Sequence, residues 1–217
     1  MPQTEAATAA EPDRDCPLCP RLVAYRAENR AAHPDWWNGP APSFGDPNAR
    51  LLIVGLAPGR TGANRTGRPF TGDFAGVLLY ETLIKTGFAR GRYQAKPDDG
   101  LELVDCMITN AVRCAPPGNK PDTAEEAACR PFLAARIAAL PRLKVIVTLG
   151  DVARRNVLRA LGLKASASGA GHGARLDAGG YTLINSYHCS RLNTNTGRLT
   201  PAMFEAVFET ARAALAA

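Results

Sequence analysis

Four short apolar runs, "RLLIVG" at 50–55, "LVDCMITN" at 103–110, "KVIVTLG" at 144–150 and "YTLINSYH" at 181–188, recur along the chain with longer mixed stretches between them. Each has the length and density of a short buried strand. The stretches between carry apolar positions at helical spacing. "FAGVLLYETLIKTG" sets Leu79 and Leu83 on one side and ends at Gly87, a natural helix terminator. "DTAEEAACRPFLAARIAAL" opens with Thr123 and Glu126 spaced as a capping box, with Pro131 set to kink or split it. Asp151 is placed to cap "VARRNVLRAL", and Thr200 with Pro201 to open "AMFEAVFETARAALAA". Strands alternating with helices predict an α/β fold with a mostly parallel sheet covered on both faces.

In such folds ligands sit beyond the carboxyl ends of the strands, and the chemically suggestive residues fall there. "GLAPGRTGANRTGRPFTGD" follows the first strand, Asn110 ends the second, Gly150 and Asp151 follow the third, and His188 ends the fourth. Four loops can therefore meet in one crevice. The glycine-rich loop is not a Walker A motif, lacking Gly-Lys-Ser/Thr, and it lacks the GxGxxG order of a dinucleotide site. A phosphate nest stays open.

The 217 residues carry 46% hydrophobic and 21% charged positions, as one globular domain over 16–217 would. Residues 1–15, "MPQTEAATAAEPDRD", are acidic and lack a signal-peptide core, which predicts a disordered tail and a cytoplasmic protein. No apolar run approaches the roughly 18 residues of a membrane span. A net charge of +6 admits an anionic partner. Arg60, Arg65, Arg68, Arg191 and Arg198 place positive charge on the crevice face.

Six cysteines in a cytoplasmic chain argue for ligation rather than disulfides. Cys16 and Cys19 form a CxxC, and Cys114 and Cys129 a looser pair, together four thiolates for one tetrahedral metal or an iron-sulfur cluster. Spacing leaves zinc and iron-sulfur undecided. A redox CxxC or ordinary buried thiols are the plainer alternatives.

Several residues have both a plain and a chemical reading. Asp73 after Thr-Gly suits a helix cap, yet a carboxylate in a crevice can also orient or deprotonate water. Asn110 can close a turn, or its amide can read the donor-acceptor edge of a base such as uracil. Phe70, in a loop of Gly, Thr and Arg, can be core or can stack on a base. His188 enters a loop of hydroxyls and amides, and Leu192 stands in that polar loop either as an anchor or as a wedge between base pairs. His33 and His172 read as surface residues, and Trp36 and Trp37 as packing.

These motifs, "GLAPG…NRTGRPFTGD", "ITNAVRC" and "HCSRLNTNTGRLT" with the four cysteines, resemble the type 5, or type B, uracil-DNA glycosylases from Cys16 to the last helix. The resemblance implies a four-stranded α/β/α sandwich and a [4Fe-4S] cluster on Cys16, Cys19, Cys114 and Cys129. It implies a monomeric enzyme that excises uracil, and candidate deaminated or modified bases, from double-stranded DNA by base flipping. The pocket would be built from Gly55, Ala57, Gly59, Phe70 and Asn110. His188 would stabilise the departing uracil, Asp73 would serve water, and Arg191, Leu192 and Asn193 would enter the groove. Type 4 relatives carry a carboxylate after the first glycine of this motif, where this chain has the apolar Leu56. A damaged-DNA-binding iron-sulfur protein without chemistry, or an electron carrier, would be the rival classes.

Overall fold

A computed structural model describes residues 10–165 and 170–216. The central sheet has six strands: β1 (Phe44–Gly45), β2 (Leu51–Gly55), β5 (Cys106–Asn110), β6 (Val145–Leu149), β7 (Arg175–Asp177) and β8 (Thr182–Ser186). Their order is β1-β5-β2-β6-β8-β7. The four expected strands are the inner ones, β2, β5, β6 and β8, and all neighbours among them pair in parallel. The expected four-stranded sheet is widened by short antiparallel edges, β1 on β5 and β7 on β8. Edges of two and three residues carry too little pattern to be seen in a sequence.

Leu103 is not part of β5. Asp105 adopts φ +53 and breaks the run, so Leu103 joins β4 (Glu102–Leu103), which pairs with β3 (Ala89–Arg90) in a separate hairpin.

Alternate side chains of the inner strands feed two cores. Leu51, Ile53, Ile108, Val147 and Ile184 meet helices α3 (Phe74–Lys85) and α7 (Pro201–Ala216) on one face. Leu52, Val54, Met107, Ile146 and Leu183 meet α4 (Thr123–Ala138) and α5 (Asp151–Ala160) on the other. Each fully buried side chain of this size contributes about 1.5–3 kcal/mol, so slipping a strand by one residue would exchange the faces.

Two helix starts differ by one residue from expectation. The α4 capping box is Asp122 with Glu125: the Asp122 side chain accepts from Glu125 N and the Glu125 side chain accepts from Asp122 N, both at 2.8 Å. Thr123 is already helical, and the helix runs through Pro131 unbroken. Asp151 is likewise the first helical residue of α5, behind Gly150 at φ +96, and its carboxylate pairs with Arg154 and Arg155. Thr200 caps α7 as expected, accepting from Met203 N at 3.2 Å.

Of the expected tail, residues 1–9 lie outside the described residues. Residues 10–15 pack onto the domain. The Glu11 carboxylate accepts from Arg113, Arg136 and the Ser43 N–H, and Ala10 is buried. Helix α1 (Pro20–Ala32) follows. No helix among the described residues is long and apolar enough to cross a membrane.

Candidate active site

The carboxyl ends of β2, β5 and β8 open into one cleft. Ala57, Gly59, Phe70, Asp73, Asn110, His188 and Arg191 all line it, so residues spread over more than a hundred positions are brought together as expected. Pro58, Phe74, Ala75, Asn119 and Ser190 line it too and were not foreseen. Asn119 sits at φ +57 in a short turn after β5, and no residue pattern marks such a turn as part of a cleft. β8 stops at Ser186, so His188 lies two residues past the strand instead of ending it.

Gly55 lies behind the wall. A Cβ there would come within 2.5 Å of Asn110 Oδ1 and 2.6 Å of Phe70 Cζ. Only glycine lets the amide and the ring both close over the end of β2. Gly62 does the same for Asp73, whose Oδ2 a Cβ would meet at 2.5 Å.

Phe70 is buried against the α3 core while its surface faces the cleft, and its backbone is at φ +53. A left-handed conformation is uncommon for an aromatic residue and persists only where surroundings hold it. The loop is held by Tyr80, which donates to Pro69 O at 2.6 Å, and by Thr66, which donates to the carbonyls of Arg68 and Thr71.

Asp73 is the helix cap it suits, and it also lines the cleft. One carboxylate oxygen caps α3, accepting from Gly76 N at 3.0 Å. The other faces the Gly59–Gly62 turn. Burial pushes its pKa up, against the opposing backbone hydrogen bonds from Gly76 and Ala75.

Asn110 closes β5 and is 2% exposed, yet its Oδ1 is buried with no hydrogen-bond partner. An unmet buried acceptor costs about 1–3 kcal/mol, and a native fold tolerates it where a ligand supplies the donor. His188 lies with its ring 6.2 Å from that of Phe70. Burial lowers its pKa, favouring neutral imidazole.

The next helix, α6 (Arg191–Asn195), is capped by Ser190, which accepts from Asn193 N. Its three foreseen residues divide. Arg191 lines the cleft with its guanidinium 5.1 Å over the Phe74 ring, and Leu192 projects outward at 72% exposure. Asn193 turns inward, donating to His188 O at 2.8 Å.

Two other arginines depart from the expected basic face, whereas Arg65 and Arg198 are exposed. Arg68 is buried in a bidentate pair with Asp99, at 2.7 and 2.8 Å, among the rings of Phe44, Tyr80 and Tyr93. Arg60 donates to Asn29 and lies 3.0 Å from His33 Nε2. His33, which stacks on Trp36, and His172, held between Tyr187 N and Met203 O, are half-buried and have packing partners.

Cys16, Cys19, Cys114 and Cys129 border a second cavity, beyond the Leu22 and Val112 cluster. Arg113 N donates to Cys129 Sγ at 3.3 Å and Arg26 to Cys114 Sγ at 3.7 Å, the donors a thiolate needs. As free thiols, burial pushes Cys114 up to about 11 and Cys129 up to about 12. Among the described residues no three or more His, Cys, Asp or Glu side chains gather around a single ion. Cys106 and Cys189 are buried in the α3–α7 core, away from that cavity.

Comparison with known proteins agrees with this geometry. Residues 42–212 match the family described as Uracil DNA glycosylase superfamily. The chain is 47% identical over 206 residues to a "Type-5 uracil-DNA glycosylase" of Thermus thermophilus, covering 92% of this chain and 94% of the relative. It is 43% identical over 190 residues to one of Pyrobaculum aerophilum, covering 86% and 83%. A "Type-4 uracil-DNA glycosylase" of the same organism is 32% identical over 157 residues, covering 72% and 66%.

Proposed function

The chain belongs to the uracil-DNA glycosylase superfamily, among the type-5 enzymes, and we propose that the cleft at the ends of β2, β5 and β8 seats a uracil swung out of duplex DNA. The activity is uracil-DNA glycosylase, hydrolysis of the N-glycosyl bond that begins base excision repair. The observation that carries the proposed seat is the buried, unpartnered Oδ1 of Asn110 beside Phe70 and His188.

Each side chain then has a task its surroundings suit. Asn110 accepts the uracil N3–H through Oδ1 and offers its amide N–H to O4. Phe70 supplies a face for stacking. As the bond to C1′ breaks, the pair of electrons leaves with the base and negative charge grows on O2, where the neutral His188 imidazole donates a hydrogen bond. The sugar becomes oxocarbenium-like, and Asp73, fixed through its capping oxygen, turns the other oxygen toward the water that attacks C1′ and takes up its proton. Leu56 carries no carboxylate that could share this work. Leu192 fills the space the base vacates, and Arg191 meets the backbone.

The four cysteines fit a [4Fe-4S] cluster, which would tie α1 to the segment after β5 and to α4. Its place apart from the cleft supports a structural part.

The test is alkali-induced cleavage of an end-labelled duplex holding one U:G pair, against a C:G control. Cleavage at uracil by the wild type, with Asn110→Ala slowed about a hundredfold or more as for loss of one transition-state contact, is expected. An Asn110→Ala enzyme as fast as wild type would remove Asn110 from the seat.

A further inference from the structure

Two side chains between β3 and β4 reach the loop that carries Phe70. Tyr93 Oη donates to Phe70 O at 3.1 Å and accepts from Gly72 N at 3.3 Å. Asp99 holds Arg68, two residues ahead of Phe70, and accepts from Gln94 N and Leu101 N within its own turn. Arg68 in turn donates to Thr71 Oγ1 at 2.7 Å. The loop is therefore gripped on both sides of the one aromatic residue in the cleft whose backbone is left-handed.

Packing alone does not account for the grip. The Tyr93 ring already rests on Tyr80, with centroids 4.7 Å apart, and needs no hydroxyl to do so. Its hydroxyl is spent on the carbonyl of Phe70 and the N–H of Gly72, the backbone groups that define the turn. Gly76 leaves the room: a Cβ there would lie 1.8 Å from Phe70 O and 2.6 Å from Tyr93 Oη.

We propose that Tyr93 and Asp99 are positioning residues for uracil excision, holding Phe70 left-handed so that its ring is presented to the seated base. This rests on the reading of Phe70 as the stacking face. Neither residue touches the base. Both act through the loop, and a loss of their hold would let the ring tilt away without emptying the cleft.

Tyr93→Phe removes the hydroxyl and keeps the ring. Single-turnover excision from a U:G duplex, the fluorescence of 2-aminopurine placed beside the uracil, and the thermal midpoint would be measured for wild type, Tyr93→Phe, Phe70→Ala and the double variant. We expect Tyr93→Phe to slow excision about tenfold, as small misplacements of a reacting group do, and to weaken the base-seating signal while the midpoint stays near wild type. The double variant should be no slower than Phe70→Ala, because the hydroxyl acts only through the ring. Asp99→Asn, measured in the same cycle at a temperature where it is folded, should show the same non-additivity. Wild-type excision by Phe70→Ala would overturn the stacking role itself. A slow Phe70→Ala with an unimpaired Tyr93→Phe, or a double variant slowed by the product of both effects, would overturn the positioning role alone.

Discussion

The side-chain amide of Asn193 donates to the carbonyl oxygen of His188 over 2.8 Å. The residue foreseen as a groove contact is thus the tie between the short helix bearing Leu192 and the histidine that lines the cleft. On the proposed reading, insertion of that helix into DNA and placement of the imidazole would be one event.

Asn193→Ala should therefore injure catalysis more than binding. The bond is worth about 1 kcal/mol net, so excision is expected to fall about fivefold with duplex affinity little changed. Stopped-flow excision and equilibrium binding on the same U:G duplex separate the two, and an equal loss in both would mean that Asn193 contacts DNA directly.

Gly55→Ala should be far more damaging than its size suggests. The new methyl meets Asn110 Oδ1 at 2.5 Å and Phe70 Cζ at 2.6 Å, so at least one wall of the seat must move. Overpacking of this kind costs about 1–3 kcal/mol of stability, and excision is expected to fall by a hundredfold or more, a 1 Å displacement being able to cost about that much. A crystal structure of the variant would show which wall moved.

His188 sets a pH signature. Burial holds its pKa below the ordinary 6.5, so the neutral donor is present throughout neutral and alkaline pH. Through His188, excision should not vary with pH there and should decline on acidification through the lowered pKa. The unfolded chain takes up a proton below 6.5 that the folded one refuses, so stability falls with pH between 6.5 and the folded value and is indifferent above it. Asp73 acts in the opposite sense, favouring the fold below 3.8 and losing that contribution as pH rises through its raised value. His188→Ala should slow excision about a hundredfold to a thousandfold and remove the acid limb assigned to it. Melting curves and rates over the same pH range check both.

Leu192→Ala removes a side chain that is 72% exposed. Stability should move by no more than about 0.5 kcal/mol. Uracil excision from a duplex should fall while excision from single-stranded DNA, which needs no wedge, is spared. Equal losses on both substrates would argue against insertion.

Cys16→Ala should lose bound iron and lower the thermal midpoint, with a slower enzyme as the secondary result. The route runs through Arg113, which donates to Cys129 Sγ from its backbone and to Thr109 Oγ1 from its side chain, next to Asn110. Iron content, visible absorption and excision rate, followed together, test the order of events. Full stability and activity without iron would refute a structural cluster.

How far a sequence discloses such a site depends on whether the decisive partner is local. β2, β5, β6 and β8 were visible because both of their faces are almost wholly buried and each holds adjacent apolar residues. Asn110, Asp73 and His188 were legible because parallel strands deliver their following loops to one edge. Arg68 was misjudged because a charge says nothing of its partner, and Asp99 stands 31 residues away. The capping box slipped by one because Asp122 and Thr123 both suit an N-cap, and only backbone geometry decides between them. The unmet oxygen of Asn110 has no sequence signature at all.

The anchoring of Glu11 carries a consequence for how the chain is made. Its carboxylate is received by Arg113 and Arg136, 102 and 125 residues further along, and Cys16 and Cys19 share their cavity with Cys114 and Cys129. During synthesis the amino-terminal arm leaves the ribosome early, but the Glu11 carboxylate cannot meet both arginines until α4 has emerged. It completes its seat late and is, for the same reason, a seam where heat can begin to undo the molecule.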